Sequence, residues 1–133
     1  MTYYFDMDGV LANFHAAYAL DKFVALHRHT MAALEPFMHN VALVRELIAA
    51  GETVYILTKA ANEDAIQGKL DWLARYIPEI DKDHFIGILK YPKVDYIREP
   101  GMLVDDDERN LRPWAEAGSQ TYFVATKGAA IQF

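Results

Sequence analysis

The chain has 133 residues, no cysteine and a formal net charge of −6, with 53% hydrophobic and 24% charged residues. A chain of this size buries roughly two-thirds of its unfolded surface in a single domain. The acidic balance argues against extended binding to nucleic acid or to an anionic membrane, and without cysteine there is no disulfide, thiolate nucleophile or thiolate metal site. No apolar run approaches the ~18 residues of a membrane helix, and the first residues lack a basic segment followed by an apolar stretch and a cleavage site, so a cytoplasmic protein is expected.

Tyr3, Tyr4 and Phe5 favour an extended strand buried on both faces, so Asp6 leaves the sheet at its carboxyl edge, where open α/β sheets hold their ligands. Gly9 permits a crowded turn directly after Asp8 that folds this carboxylate back beside Asp6. Taken alone, the segment also reads as an ordinary Asp-Gly turn. Residues 12–39 offer one good helix and a short second piece. Phe14, Tyr18, Phe23 and Phe37 in this stretch are expected to pack it onto the main domain rather than to form a wall for a ligand. His27 and His29 are two apart and so face differently on a helix, which makes them surface residues rather than a metal pair.

Asn40 can cap a helix that carries Val41, Val44, Leu47 and Ile48 on one face and stops at Gly51. Thr53 to Leu57 reads as a buried strand with Thr58 at its carboxyl end. Asn62 then begins a helix striped by Ile66, Leu70, Leu73 and Ile77, ended by Pro78. His84 to Leu89 reads as a shorter strand, followed by a loop that brings Lys93 to the same edge, with Lys90 its main rival and Lys59 a further one. Gly101 to Val104 forms another strand ending in Asp105, Asp106 and Asp107. A helix over Glu108 to Ala117 and a last strand over Thr121 to Val124 follow. Strands alternating with crossover helices predict an α/β fold, a doubly wound parallel sheet forming one domain over residues 1–133.

Four strand ends therefore carry the chemistry: Asp6 with Asp8, Thr58, Lys93, and Asp105 with Asp106. In order, FDMDGVLANF, VYILT, ILKYPK and GMLVDDD resemble the four motifs of the haloacid dehalogenase superfamily of phosphotransferases. Within it the chain is most similar to the 5'(3')-deoxyribonucleotidase family, through FDMDGVLANF, KLDWLARYIP and LVDDD. Those relatives cover the site with a large helical cap, for which residues 12–39 provide only a reduced counterpart. A neighbouring subunit of a homo-oligomer is one way to rebuild the missing surface.

The resemblance implies a Mg²⁺-dependent phosphomonoesterase. In it Asp6 is the nucleophile that forms an aspartyl-phosphate, and Asp8 is the acid that protonates the leaving group and the base that activates water. It also implies a metal held by Asp6, the Asp8 main-chain carbonyl, Asp105 and Asp106, with Thr58, Lys59 and Lys93 as phosphate contacts. The substrate is expected to be a small phosphorylated metabolite, with a nucleoside monophosphate as the leading candidate. An acid at Asp8 separates a phosphatase from the dehalogenases of the superfamily. A phosphoaspartate signalling receiver, a non-catalytic binding domain and a phosphatase of a non-nucleotide or macromolecular substrate remain as alternatives. Receivers place the acidic pair before the acceptor aspartate, the reverse of the order here, and Asp107 looks surplus to any of these roles.

Overall fold

The computed structural model describes residues 1–133. Five parallel strands run β1 (Thr2–Phe5), β2 (Thr53–Lys59), β3 (Phe85–Ile88), β4 (Met102–Asp105) and β5 (Thr121–Phe123), in the spatial order β3-β2-β1-β4-β5. The expected doubly wound sheet is therefore present, with β1 at its centre between Val54 to Ile56 of β2 and Met102 to Val104 of β4.

Successive residues of a strand point to opposite faces, and the core divides accordingly. Tyr3 and Phe5 join Val54 and Ile56 on one face, under Val41 and Val44 of α3 (Met38–Ala49) and Ile66, Trp72 and Leu73 of α4 (Glu63–Tyr76). Tyr4 and Tyr55 turn to the other face and pack with Leu103, Leu111 and Trp114, the last two from α5 (Glu108–Glu116). Both faces being covered explains the almost unbroken apolar character of β1 and β2. The rings of Tyr4 and Tyr55 stack at 4.8 Å, and the Tyr4 hydroxyl donates to the Glu99 carbonyl at 2.7 Å, so this buried phenol is both packed and satisfied.

The chain between β1 and α3 forms three short helical pieces, α1 (Phe14–Leu20), a 3₁₀ turn over Lys22–Leu26 and α2 (Arg28–Ala32), rather than one good helix and a fragment. Its ends are tied together: Asn13 N–H donates to the Glu35 carbonyl at 2.8 Å and Phe37 N–H to the Leu11 carbonyl at 2.8 Å. The insertion thus enters and leaves beside the Asp6–Gly9 loop. It packs on α4 through Gly68, where a Cβ would overlap the Arg28 carbonyl and lie 2.8 Å from the Met31 Cβ. Phe14 and Phe37 are half-buried, but Phe23 is 67% exposed and Tyr18 40%, so the aromatics pack the insertion down only in part. His27 and His29 are both exposed as expected, although their rings stack 5.8 Å apart because His27 sits before the helix in extended conformation.

Asn40 is not a cap. Phe37 occupies that position of α3, and Asn40 lies within the first turn with its side chain buried. Its amide donates to the carbonyls of Val10 and Ala129, both at 2.9 Å, and accepts from Ile131 N–H at 3.0 Å, joining the loop after β1 to the chain after β5. Asn62 does cap α4, accepting from Ala65 N–H at 2.8 Å. No helix is long and apolar enough to cross a membrane.

Gly68→Ala tests the seat of the insertion. Alanine improves helix propensity by about 1 kcal/mol, whereas crowding of a packed interface costs about 1–3 kcal/mol. We expect a net loss of stability, seen as a Tm several degrees lower by calorimetry.

Candidate active site

Asp6 N–H makes the last rung of β1 with the Val104 carbonyl at 2.9 Å, after which the chain turns sharply. The Met7 carbonyl accepts from Leu11 N–H at 2.8 Å and Ala12 N–H at 2.9 Å, closing the turn. Gly9 has φ +85° and passes so close to Asp106 that a Cβ would overlap its Oδ2, so both the backbone conformation and the space require glycine.

Asp6, Asp105 and Asp106 present carboxylate oxygens that all lie within 4.8 Å of one another. Lys93, carried on a 3₁₀ turn over Lys93–Tyr96, is buried and donates to Asp6 Oδ1 and Asp105 Oδ2, both at 2.8 Å. Asn110 of α5 donates to Asp105 Oδ2 at 3.1 Å, and Asp107 N–H to Asp105 Oδ1 at 2.9 Å. Lys127, beyond β5, pairs with Asp106 Oδ2 at 2.5 Å.

Burial pushes the Asp6 carboxyl well above the usual carboxylate range, with Asp105 adding to the rise and Lys93 opposing it. Asp105 is raised for the same leading reason, again against Lys93. Burial works against the Lys93 ammonium, but Asp6 and Asp105 outweigh it and hold its pKa above the ordinary lysine value.

Asp8 borders the cleft over the acidic trio but is not one of the three converging acids. Its Oδ2 accepts from Lys69 Nζ at 2.9 Å, and the same ammonium donates to Thr58 Oγ1 at 2.8 Å. Thr58 is fully buried and does not border the cleft over the trio. That cleft, about 280 Å³, is lined by Asp6, Asp8, Lys59, Lys93, Asp105 and Asp106 among others. Lys59 has no carboxylate partner and stands 5.2 Å over the Tyr91 ring. An adjoining, more apolar cavity of about 200 Å³ shares Asp8, Phe14, Lys59 and Tyr91 with it and extends to Ala25, Met31 and Ala65.

Of the three candidate lysines, Lys93 is the one the fold seats between the acids, while Lys90 is exposed at the surface. Asp107 stands outside the converging trio and caps α5 instead, accepting from Arg109 N–H at 2.9 Å, and the Arg109 guanidinium holds its carboxyl below the usual range. Lys69 and Lys127 were missed by the reading of the sequence. Lys69 had a visible signal, since it stands three residues after Ile66 and four before Leu73, on the apolar stripe of α4 where an unpaired lysine does not belong. Lys127 had none.

A doubly wound α/β sheet with acids braced by buried lysines at its carboxyl edge is the class of site these elements define. The family model described as 5' nucleotidase, deoxy (pyrimidine), cytosolic type C protein matches residues 17–124. The chain belongs to that family, which makes it a nucleotidase-type hydrolase. The matched span starts after the Asp6–Phe14 segment, so family membership and the first-strand acids are separate observations. No curated protein matches the chain.

The raised carboxyls fix the sign of a pH effect on stability in chelator. In the folded protein Asp6 and Asp105 bind protons more tightly than their unfolded counterparts, with ordinary values near about 4. Folding stability is therefore favoured at low pH by these two groups and falls as pH rises from about 4 through their raised values. We expect Asp6→Asn to flatten this fall and, at neutral pH in chelator, to raise Tm by a few degrees, at roughly 4 °C per kcal/mol for a domain of this size. Thermal melts across pH check both.

Proposed function

We propose that the chain is a cytoplasmic, Mg²⁺-dependent phosphomonoester hydrolase of the haloacid dehalogenase type that works through an aspartyl-phosphate on Asp6. Its substrate on this reading is a (deoxy)nucleoside 5'-monophosphate. The observation that carries the proposal is the convergence of Asp6, Asp105 and Asp106 at the cleft, with Lys93 held between Asp6 and Asp105. Membership of a nucleotidase family supports the substrate class.

The residues fit a hard divalent ion: three carboxylates from two strand ends converge, and the Asp8 main-chain carbonyl, not engaged by any loop or turn amide, would add a fourth oxygen. When bound, Mg²⁺ supplies positive charge and polarises the phosphoryl group. Without countercharge, Asp6 and a phosphate repel each other by about 1 kcal/mol per charge pair at 4 Å in water and about 4 kcal/mol at an effective dielectric of 20. Lys93 supplies part of that countercharge through its contact with Asp6, and Lys59 offers an ammonium not committed to a carboxylate.

In the first half-reaction a bond forms between an Asp6 carboxylate oxygen and phosphorus as the bond to the ester oxygen breaks. That oxygen leaves with the electron pair and takes a proton from Asp8. In the second, Asp8 accepts a proton from water as the water oxygen bonds to phosphorus and the Asp6 carboxylate is released with free phosphate. The half-apolar cavity beside Asp8 accommodates the leaving group on the side where the proton is delivered.

Phosphate release from a panel of phosphomonoesters tests the reading. We expect turnover of nucleoside 5'-monophosphates with Mg²⁺, its loss in chelator, and a fall of roughly 10³-fold or more for Asp6→Asn. Equal release by wild type and Asp6→Asn contradicts the mechanism. In the absence of substrate Mg²⁺ should also raise Tm, a ligand at 100 times its Kd adding about 2.7 kcal/mol, and Asp106→Asn should reduce that rise.

A further inference from the structure

Lys69 is a buried ammonium that the reaction above does not use, 1% exposed and set on α4 behind the acids rather than among them. An ammonium removed from water loses several kcal/mol of solvation unless it is paired and hydrogen-bonded, and both of its observed partners belong to the site. Asp8 Oδ2 accepts at 2.9 Å and Thr58 Oγ1 at 2.8 Å, so one side chain ties the loop after β1 to the end of β2. The other Asp8 oxygen, Oδ1, is the one buried side-chain polar atom with no hydrogen-bond partner. Leaving such an atom unsatisfied costs about 1–3 kcal/mol. Asp8 nevertheless borders both the cleft over the acids and the more apolar cavity next to it.

We propose that Lys69 is a positioning residue: by tying Asp8 Oδ2 to Thr58 it fixes the carboxylate that exchanges the proton with the ester oxygen and later with water. The inference rests on the phosphomonoesterase reading and adds to it the residue that orients Asp8. Rotation of the Asp8 carboxylate would break the contact with Lys69, so the geometry is fixed before substrate arrives and its cost is carried by the fold. Thr58, which accepts from Lys69, keeps its own hydroxyl proton to give, so the Lys69 contact does not exhaust it.

The test compares two leaving groups in the same preparation. Proton delivery matters for the alkoxide of a nucleoside 5'-monophosphate and little for p-nitrophenolate, which leaves without a proton. The ratio of the two kcat/KM values also cancels the fraction of protein that is folded. Lys69→Met is expected to lower kcat/KM for the nucleotide by about 100-fold, in the range of general acid catalysis, and for p-nitrophenyl phosphate by less than tenfold. Asp8→Asn should show the same skew. Lys69→Gln, which keeps an uncharged N–H donor group, should fall between wild type and Lys69→Met.

An unchanged ratio in Lys69→Met, with both substrates slowed equally, overturns the positioning role while leaving the hydrolase reading intact. Failure of both variants to fold also overturns it, since Lys69 would then serve the core alone. A wild-type protein that hydrolyses neither ester defeats the underlying reading instead, so the two failures are distinguishable.

Discussion

The structure depends on one buried contact: the Lys93 ammonium held between Asp6 and Asp105 at 2.8 Å from each. Asp6 follows the central strand and Asp105 ends its neighbour β4, so two adjoining strand ends bring like charges together in a place almost closed to water. Without a cation between them the two carboxylates would each be disfavoured by burial and by the other. Lys93 arrives from the chain between β3 and β4, which crosses back to the same edge, and its position converts a repulsion into a cross-link. Removing Lys93 would leave two carboxylates buried without a countercharge, whereas removing one carboxylate leaves the ammonium still paired with the other.

The same logic repeats around the cleft. Asp8 has Lys69 and Asp106 has Lys127, each from a distant part of the chain, while Asp107 is paired with the nearby Arg109. Lys69 ties α4, and Lys127 ties the chain after β5, to the edge where the strands give way to loops. Lys59, over Tyr91, stands outside this pairing, which leaves one positive charge of the cleft open to an incoming anion. A net-acidic protein therefore offers an anionic substrate a locally balanced site.

The sheet was legible in the sequence because its signal is local. Apolar runs of four to seven residues ending in Asp6, Thr58 and Asp105 mark strands and their carboxyl ends without knowledge of the fold. The insertion was less legible, since helical pieces as short as α2 owe their form to contacts such as Gly68 against Arg28 rather than to their own periodicity. Asn40 shows the limit of a local rule: its residue type suits a cap, but its side chain is taken by Val10, Ala129 and Ile131, partners as far as 91 positions away. The loop after β3 pointed to Lys93 but left Lys90 as a rival, because what separates them is burial and contact with two carboxylates from other strand ends. Lys127 pairs with Asp106 from the far end of the chain, where neither composition nor periodicity marks it.

The central claim is that Asp6 carries phosphate during turnover. Rapid quenching during hydrolysis of a nucleoside 5'-monophosphate, borohydride reduction of the acyl phosphate and peptide mass spectrometry test it directly. The account predicts conversion of residue 6 to homoserine in the presence of Mg²⁺ and none in chelator. Phosphate release with residue 6 unreduced, or reduction at a different carboxylate, would contradict it.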